Sequence, residues 1–243
     1  MAPTTLSHWR LLPVWKRDIL AHGSRLVWPA QATASILEMS AEQISRIGLA
    51  ALLHDLGKLA LPSAILLKPG PLSAEEWAVL HRHPELGAQM LSRAGAGWEE
   101  LSRIVVAHHE RWDGGGYPRG LERDAIPLEA RILSVVDAFD AMTSPRVYRR
   151  PLAREEARAE LERCSGQQFD PLVVWAFLQV LDGREQVPAR LGHSYRNSCR
   201  QWAGSQAGDL QLGACINQVA LEVLGHDDTI QRLAYACQAG NAS

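Results

Sequence analysis

The stretch ISRIGLAALLHDLGK, residues 44 to 58, constrains this chain more than any other. Its apolar side chains recur at helical spacing, with Ile44, Ile47 and Ala51 on one stripe. Three residues further along that stripe stands His54, and Asp55 continues the neighbouring row through Gly48 and Leu52. Both polar side chains are therefore expected to point inward or into a cleft. A buried carboxylate is costly unless it is paired or coordinated, so a fold that places Asp55 there must also supply a charge to meet it. For this dipeptide alone, a helix-terminal His–Asp hydrogen bond explains the pattern equally well.

The same anomaly recurs along the chain. His83 precedes Pro84, His108 and His109 are adjacent at the end of IVVAHHE, and Asp137 interrupts the stripe Ala130, Leu133, Asp137, Ala141. Several helices carrying His or Asp on an inner face argue for ligands converging on metal. Imidazole and carboxylate without thiolate suit iron or manganese, with zinc, nickel or cobalt as alternatives. So many ligands exceed what one tetrahedral ion takes. A centre with two ions about 3.5 to 4 Å apart could hold a bridging hydroxide and clamp a phosphoryl group for in-line displacement. Lys58, one turn after His54, would then stabilise charge developing on phosphate. His8, His81, His193 and His226 lack such a setting and read as surface or capping residues.

The remainder of the pattern is all-α. Helical periodicity predicts helices over about 13–38, 41–56, 73–94, 97–110, 127–143, 152–163 and 171–182. Ser73 with Glu76 resembles a capping box, Pro127 and Pro171 suit first-turn positions, and Gly57 is expected to end its helix in the left-handed conformation. Residues 109–121, HERWDGGGYPRGL, carry too many glycines for a helix and predict a loop. Past residue 186 the composition shifts to Gln, Gly, Ser and Asn, with one more helix expected near 211–237. The expected organisation is an extension over 1–17, a domain over 18–186 and a tail over 187–243. That tail, apolar around Ile216, Val219 and Leu224, is expected to pack on the domain, with homodimer formation as the second reading.

With 25 Lys plus Arg against 27 Asp plus Glu, the charge gives no broad reason to expect a nucleic acid polymer or an acidic membrane as partner. Cys164, Cys199, Cys215 and Cys237 form no CxxC pair. No apolar run approaches the length of a membrane span, which sets the expectation of a soluble, cytoplasmic protein.

HD at 54–55, HP at 83–84, HHE at 108–110, GYP at 116–118 and the D-x-x-D-A-M-T-S-x-R-x-Y run from Asp137 to Tyr148 together resemble the HD-GYP family, over roughly residues 18–182. The resemblance implies an HD-domain helical bundle, with the GYP loop and a C-terminal helical tail, that hydrolyses cyclic di-GMP to pGpG or on to GMP. It implies His22, His54, Asp55, His83, His108, His109 and Asp137 as metal ligands, Asp55 and Lys58 as catalytic residues, and Gly116, Tyr117, Pro118, Arg146 and Arg149 as the substrate-binding set. Two divalent ions are implied, iron or manganese first. Asp18, one turn before His22, could bring a third, although relatives usually carry Glu there. Pro29 is expected to kink the helix bearing His22. Arg149 stands where relatives often have Lys, and its guanidinium still suits phosphate. Tyr117 is expected to contact a guanine or the loop's own neighbours, and Arg111 to pair with Asp113. A non-hydrolysing cyclic di-GMP receptor, or a module docking a diguanylate cyclase (GGDEF) protein, is the second reading. A phosphohydrolase of another nucleotide, including a mixed cyclic dinucleotide, is the third. Too few residues precede the domain for a sensor, so regulation is expected from the tail, a partner or substrate supply.

Overall fold

Capping side chains start the helices where the sequence places them. In the computed structural model, which describes residues 14–94, 98–145 and 150–183, Ser40 Oγ accepts from the Gln43 backbone N–H at 3.2 Å. The Gln43 side chain accepts from the Ser40 N–H at 3.0 Å, and this reciprocal pair opens α2 (Ala41–Leu53). It is preceded by α1 (Val14–Ile36) and followed by a 3₁₀ turn (Leu56–Ala60) and the short α3 (Ser63–Leu66). The expected box of Ser73 and Glu76 opens α4 (Ala74–Leu80). Then come α5 (His83–Ala94), α6 (Glu99–Ala107), α7 (Leu128–Thr143), α8 (Arg154–Arg163) and α9 (Pro171–Leu181). The Leu172 N–H donates to Asp170 Oδ1 at 2.8 Å, and Pro171 occupies the first turn of α9.

All regular structure among the described residues is helical, apart from one isolated bridge between Ser165 and Phe169. The α1 helix lies along α2 and also meets α7 and α9, while α5 pairs with α6 and packs on the 3₁₀ turn. Ile47, Leu91, Val105, Leu133 and Phe177 join one continuous core between these helices. No described helix is long and apolar enough to cross a membrane.

Three expectations need correcting. The helix expected over 73–94 is two helices, because a continuous one would need a Pro84 N–H to bond the Leu80 carbonyl, and proline has none. His83 Nδ1 donates to that carbonyl instead, at 2.8 Å. The helix expected to reach residue 56 stops at Leu53, with His54 as its C-cap. Gly57 is not left-handed. It sits inside the 3₁₀ turn, where a Cβ would meet the His83 carbonyl oxygen at 1.9 Å and the Gly87 nitrogen at 2.5 Å, so glycine is there for close approach to α5. Pro29 lies inside α1, which is one element from Val14 to Ile36. The tail and its helix near 211–237 lie outside the described residues.

Candidate metal centre

Glycine also governs how closely α1 can approach. A Cβ on Gly23 would meet the Leu52 and Ala51 carbonyl oxygens at 2.5 and 2.9 Å, so α1 rests directly on the end of α2. That contact brings His22 to His54, with ring centroids 5.2 Å apart. His54 then faces His108 at 5.1 Å, and His108 faces His83 at 5.3 Å and His109 at 4.0 Å.

Three of these rings are oriented by the same local device. His54, His83 and His108 each donate Nδ1–H to the carbonyl three residues earlier, on Ala51, Leu80 and Val105, at 2.8, 2.8 and 2.6 Å. The Nε2 lone pairs are left facing the interior. Fixing the ring through its other nitrogen is how metal-binding imidazoles are usually held. His83 Nε2 and His108 Nε2 lie 3.4 Å apart, two lone pairs opposed unless a cation or proton stands between them.

The ligand atoms fall into two groups, each with its atoms within 4.8 Å of one another: His22, His54 and Asp55, and His83, His108 and His109. Asp55 joins them. Its Oδ2 lies 3.4 Å from His54 Nε2 and its Oδ1 lies 3.4 Å from His83 Nε2. Asp137 Oδ1 is 2.9 Å from His22 Nε2, at the first group. His54 Nε2 and Asp55 Oδ1 are buried without a hydrogen-bond partner. Orphaned polar atoms of this kind need a partner the protein does not supply, and divalent cations held by these donors would satisfy them. The donor set therefore fits a metal.

Protonation divides along the same line. Burial, then the neighbouring imidazoles, pushes His108 down to about 3. Burial also brings His83 to about 4 and His109 lower still, so the second group is neutral and ready to ligate. In the first group burial also pulls downward, but hydrogen bonds from His22 to Asp137 and Asp140 outweigh it and raise His22 to about 9. His54 is raised by the Asp55 charge against burial. Burial opposes ionisation of Asp55, yet the charges of His54 and Lys58 hold its carboxyl well below the usual range.

Lys58 Nζ donates to Asp55 Oδ2 at 2.6 Å and lines the same cleft, so its ammonium stands beside the ligand groups. Tyr117 lines it as well. Gly116 lies against the backbone of His109 and Glu110, too close for a Cβ, and the Tyr117–Pro118 peptide is cis. Arg111 pairs with Asp113 at 3.0 and 2.7 Å. Asp18 is exposed on α1 and belongs to neither ligand group. Arg146 and Arg149 lie outside the described residues, as do His8, His193 and His226.

Three participants escaped the sequence reading. Asp140 accepts from His22 Nδ1 at 2.9 Å and from the Arg25 guanidinium at 2.9 and 2.8 Å. The D-x-x-D spacing, one turn of helix, was the available signal. His81 is the C-cap of α4, as a capping reading allows, but it also stacks on Tyr117 at 4.0 Å. Glu110, buried, accepts the Arg119 and Leu121 backbone N–H groups at 2.7 and 3.0 Å, and so folds the GYP loop back on itself.

The chain is similar to several known proteins. A sequence family described as HD domain matches residues 15–173. A cyclic di-GMP phosphodiesterase of Thermotoga maritima is 44% identical over 160 residues, which is 65% of this chain and 44% of that protein. The cyclic di-GMP phosphodiesterase response regulator RpfG of Xanthomonas campestris is 41% identical over 177 residues, 72% of this chain and 46% of its own. The 3′3′-cGAMP-specific phosphodiesterase 2 of Vibrio cholerae is 37% identical over 167 residues, 68% of this chain and 32% of its own. The chain thus spans less than half the length of each of these relatives. Among solved structures, an HDG"Y"P protein of Bdellovibrio bacteriovorus superposes with a TM-score of 0.54 at 22% identity, covering 73% of this chain and 56% of that one. That likeness is one of fold.

Proposed function

The chain belongs to the HD domain family, and from that premise we propose that it is a metal-dependent phosphodiesterase that hydrolyses cyclic di-GMP to pGpG or GMP. The observation that carries this reading is the pair of three-ligand groups joined by the two oxygens of Asp55. His22, His54, Asp55 and Asp137 would hold one divalent ion, and Asp55, His83, His108 and His109 the other, iron or manganese by the chemistry of the donors. Asp18 is the candidate carboxylate for a third. When bound, such ions supply Lewis acidity and lower the pKa of water so that a nucleophile is available at neutral pH.

The chain's own residues do the rest. Asp55 holds the two ligand groups in one frame through its separate oxygens. Lys58, 2.6 Å from Asp55 and open to the cleft, places positive charge where a phosphate enters and where charge grows on its oxygens. Asp140 and Arg25 fix the ring of His22 from behind. Glu110 closes the loop that carries Gly116, Tyr117 and Pro118 against the cleft. Arg146 and Arg149 are proposed to hold phosphate, from the sequence motif alone.

Elemental analysis of protein purified without air, paired with product identification, tests the reading. His54→Ala and Asp55→Ala are each expected to lose bound metal and hydrolysis together. Turnover retained in either variant rules out the assigned site. Because one relative is named for 3′3′-cGAMP, a mixed cyclic dinucleotide is the second substrate to assay in parallel. Full metal occupancy with no turnover of either dinucleotide favours a receptor.

A further inference from the structure

We propose that Trp77 is the platform on which a purine base of the cyclic dinucleotide stacks, an inference that rests on the phosphodiesterase reading above. Metal ions and Lys58 can hold only phosphate, which every nucleotide shares, so base affinity must come from elsewhere in the cleft. Single-stranded nucleotides are commonly held by stacking on aromatic rings, because every base has a π-face.

Tyr117 is the aromatic residue the sequence singles out, but its ring is already engaged. It stacks on His81 with centroids 4.0 Å apart and planes inclined by 23°, and on His109 at 4.9 Å and 30°. Those two imidazoles take up its π-surface and tie it to a candidate metal ligand. The chain of rings continues from His81 to Trp77, with centroids at 5.4 Å and planes inclined by 51°. That contact is tilted and not stacked, and Trp77 remains 46% exposed. Among the described residues, Trp28, Leu67, Leu172 and Trp175 are the other exposed large hydrophobics, and Trp77 alone of the five lines this cleft of about 580 Å³.

The position of the indole is set by the local fold. Trp77 lies one turn after Ser73, whose carbonyl accepts the Trp77 backbone N–H at 2.9 Å, so the capped first turn sets where the side chain leaves α4. His81 follows at i+4 on the same face and braces the ring from the loop side. Trp77 thus stands at the open end of a ring ladder whose other end is His109, the arrangement expected of a surface that positions a base while phosphate meets the ligand groups.

The test compares wild type, Trp77→Ala and Trp77→Phe, metal-loaded, on cyclic di-GMP and on the abasic form of the same cyclic diester, which has no aromatic ring. Trp77→Ala is expected to raise KM for cyclic di-GMP about tenfold or more with kcat changed little, as loss of one stacking partner implies. Trp77→Phe should recover most of that loss, and hydrolysis of the base-free diester should be the same in all three. An unchanged KM for cyclic di-GMP in Trp77→Ala overturns the inference and leaves the phosphodiesterase reading intact. Equal loss on both substrates overturns it too, since the defect is then not in base binding. If wild type does not turn over the dinucleotide, the phosphodiesterase reading fails by itself. Calorimetric binding then decides the platform: about tenfold weaker cyclic di-GMP binding in Trp77→Ala sustains it, and equal binding overturns it.

Discussion

At the scale of single residues, the centre is organised less by the atoms that would touch metal than by those that hold them. His22 illustrates this, since it is half-buried, sits on a different helix from the other members of the two ligand groups, and has both ring nitrogens engaged by carboxylates. Asp137 competes for the nitrogen a cation would need, whereas Asp140 holds the other and is itself gripped by two hydrogen bonds from Arg25. Asp140 therefore acts as a positioning residue. Asp140→Asn keeps an oxygen for His22 but removes the charge and one of the two acceptors facing Arg25. Its expected effect is a divalent-ion affinity about 10- to 100-fold weaker by calorimetric titration of the metal-free protein, with the fold retained by circular dichroism. Affinity equal to wild type would show that His22 needs no support from behind.

At the scale of elements, the site forms where helices end. His54 and His108 are the C-caps of α2 and α6, and His83 begins α5, so each ring turns back onto a carbonyl of the preceding turn. The loop between α6 and α7 needs its own organiser, because glycine-rich backbone has no ladder to hold it, and Glu110 supplies two acceptors from a buried position. Glu110→Gln presents an amide donor to one of those N–H groups. A buried donor left unpaired costs about 1 to 3 kcal/mol, so thermal melting should fall by about 2 to 12 °C, with a rise in KM for the dinucleotide. A melt coincident with wild type would mean the loop is held by other contacts. The helices and the inward His and Asp residues were legible in the sequence because periodicity exposes a polar residue on an apolar stripe. The break at residues 81–82 was legible in principle from Pro84, yet the apolar pattern runs across it and concealed it. Gly57 and Gly23 read as helix punctuation or nothing, since close approach to another backbone is a tertiary fact with no local signature. Asp140 and His81 were hidden for the same reason: their partners, His22 and Tyr117, are far away in sequence.

At the scale of the whole molecule, the fold and its ions are coupled through protons. The core closes around two ligand groups that differ in charge state, one neutral because burial has driven His83 and His108 to about 4 and 3, the other protonated because carboxylates raise His22 to about 9. A cation entering the neutral group displaces nothing, whereas one entering the His22 group must expel protons, since only the neutral imidazole ligates. The sign follows from the ordinary value of 6.5 for His22. Without metal, the raised pKa contributes stability that is complete below 6.5 and is lost as pH climbs through about 9. With metal, the same climb removes a competitor and strengthens binding. The difference in melting temperature between manganese-loaded and chelator-treated protein should therefore widen from about pH 6 to about pH 9. Titration in buffers of different ionisation enthalpy should register proton release from His22 that is close to complete near neutrality, about half at pH 9 and falling toward zero only above it. A constant melting difference, or no proton release near neutrality, would place the ions away from His22 and leave its pairing with Asp137 and Asp140 as a purely structural contact between α1 and α7.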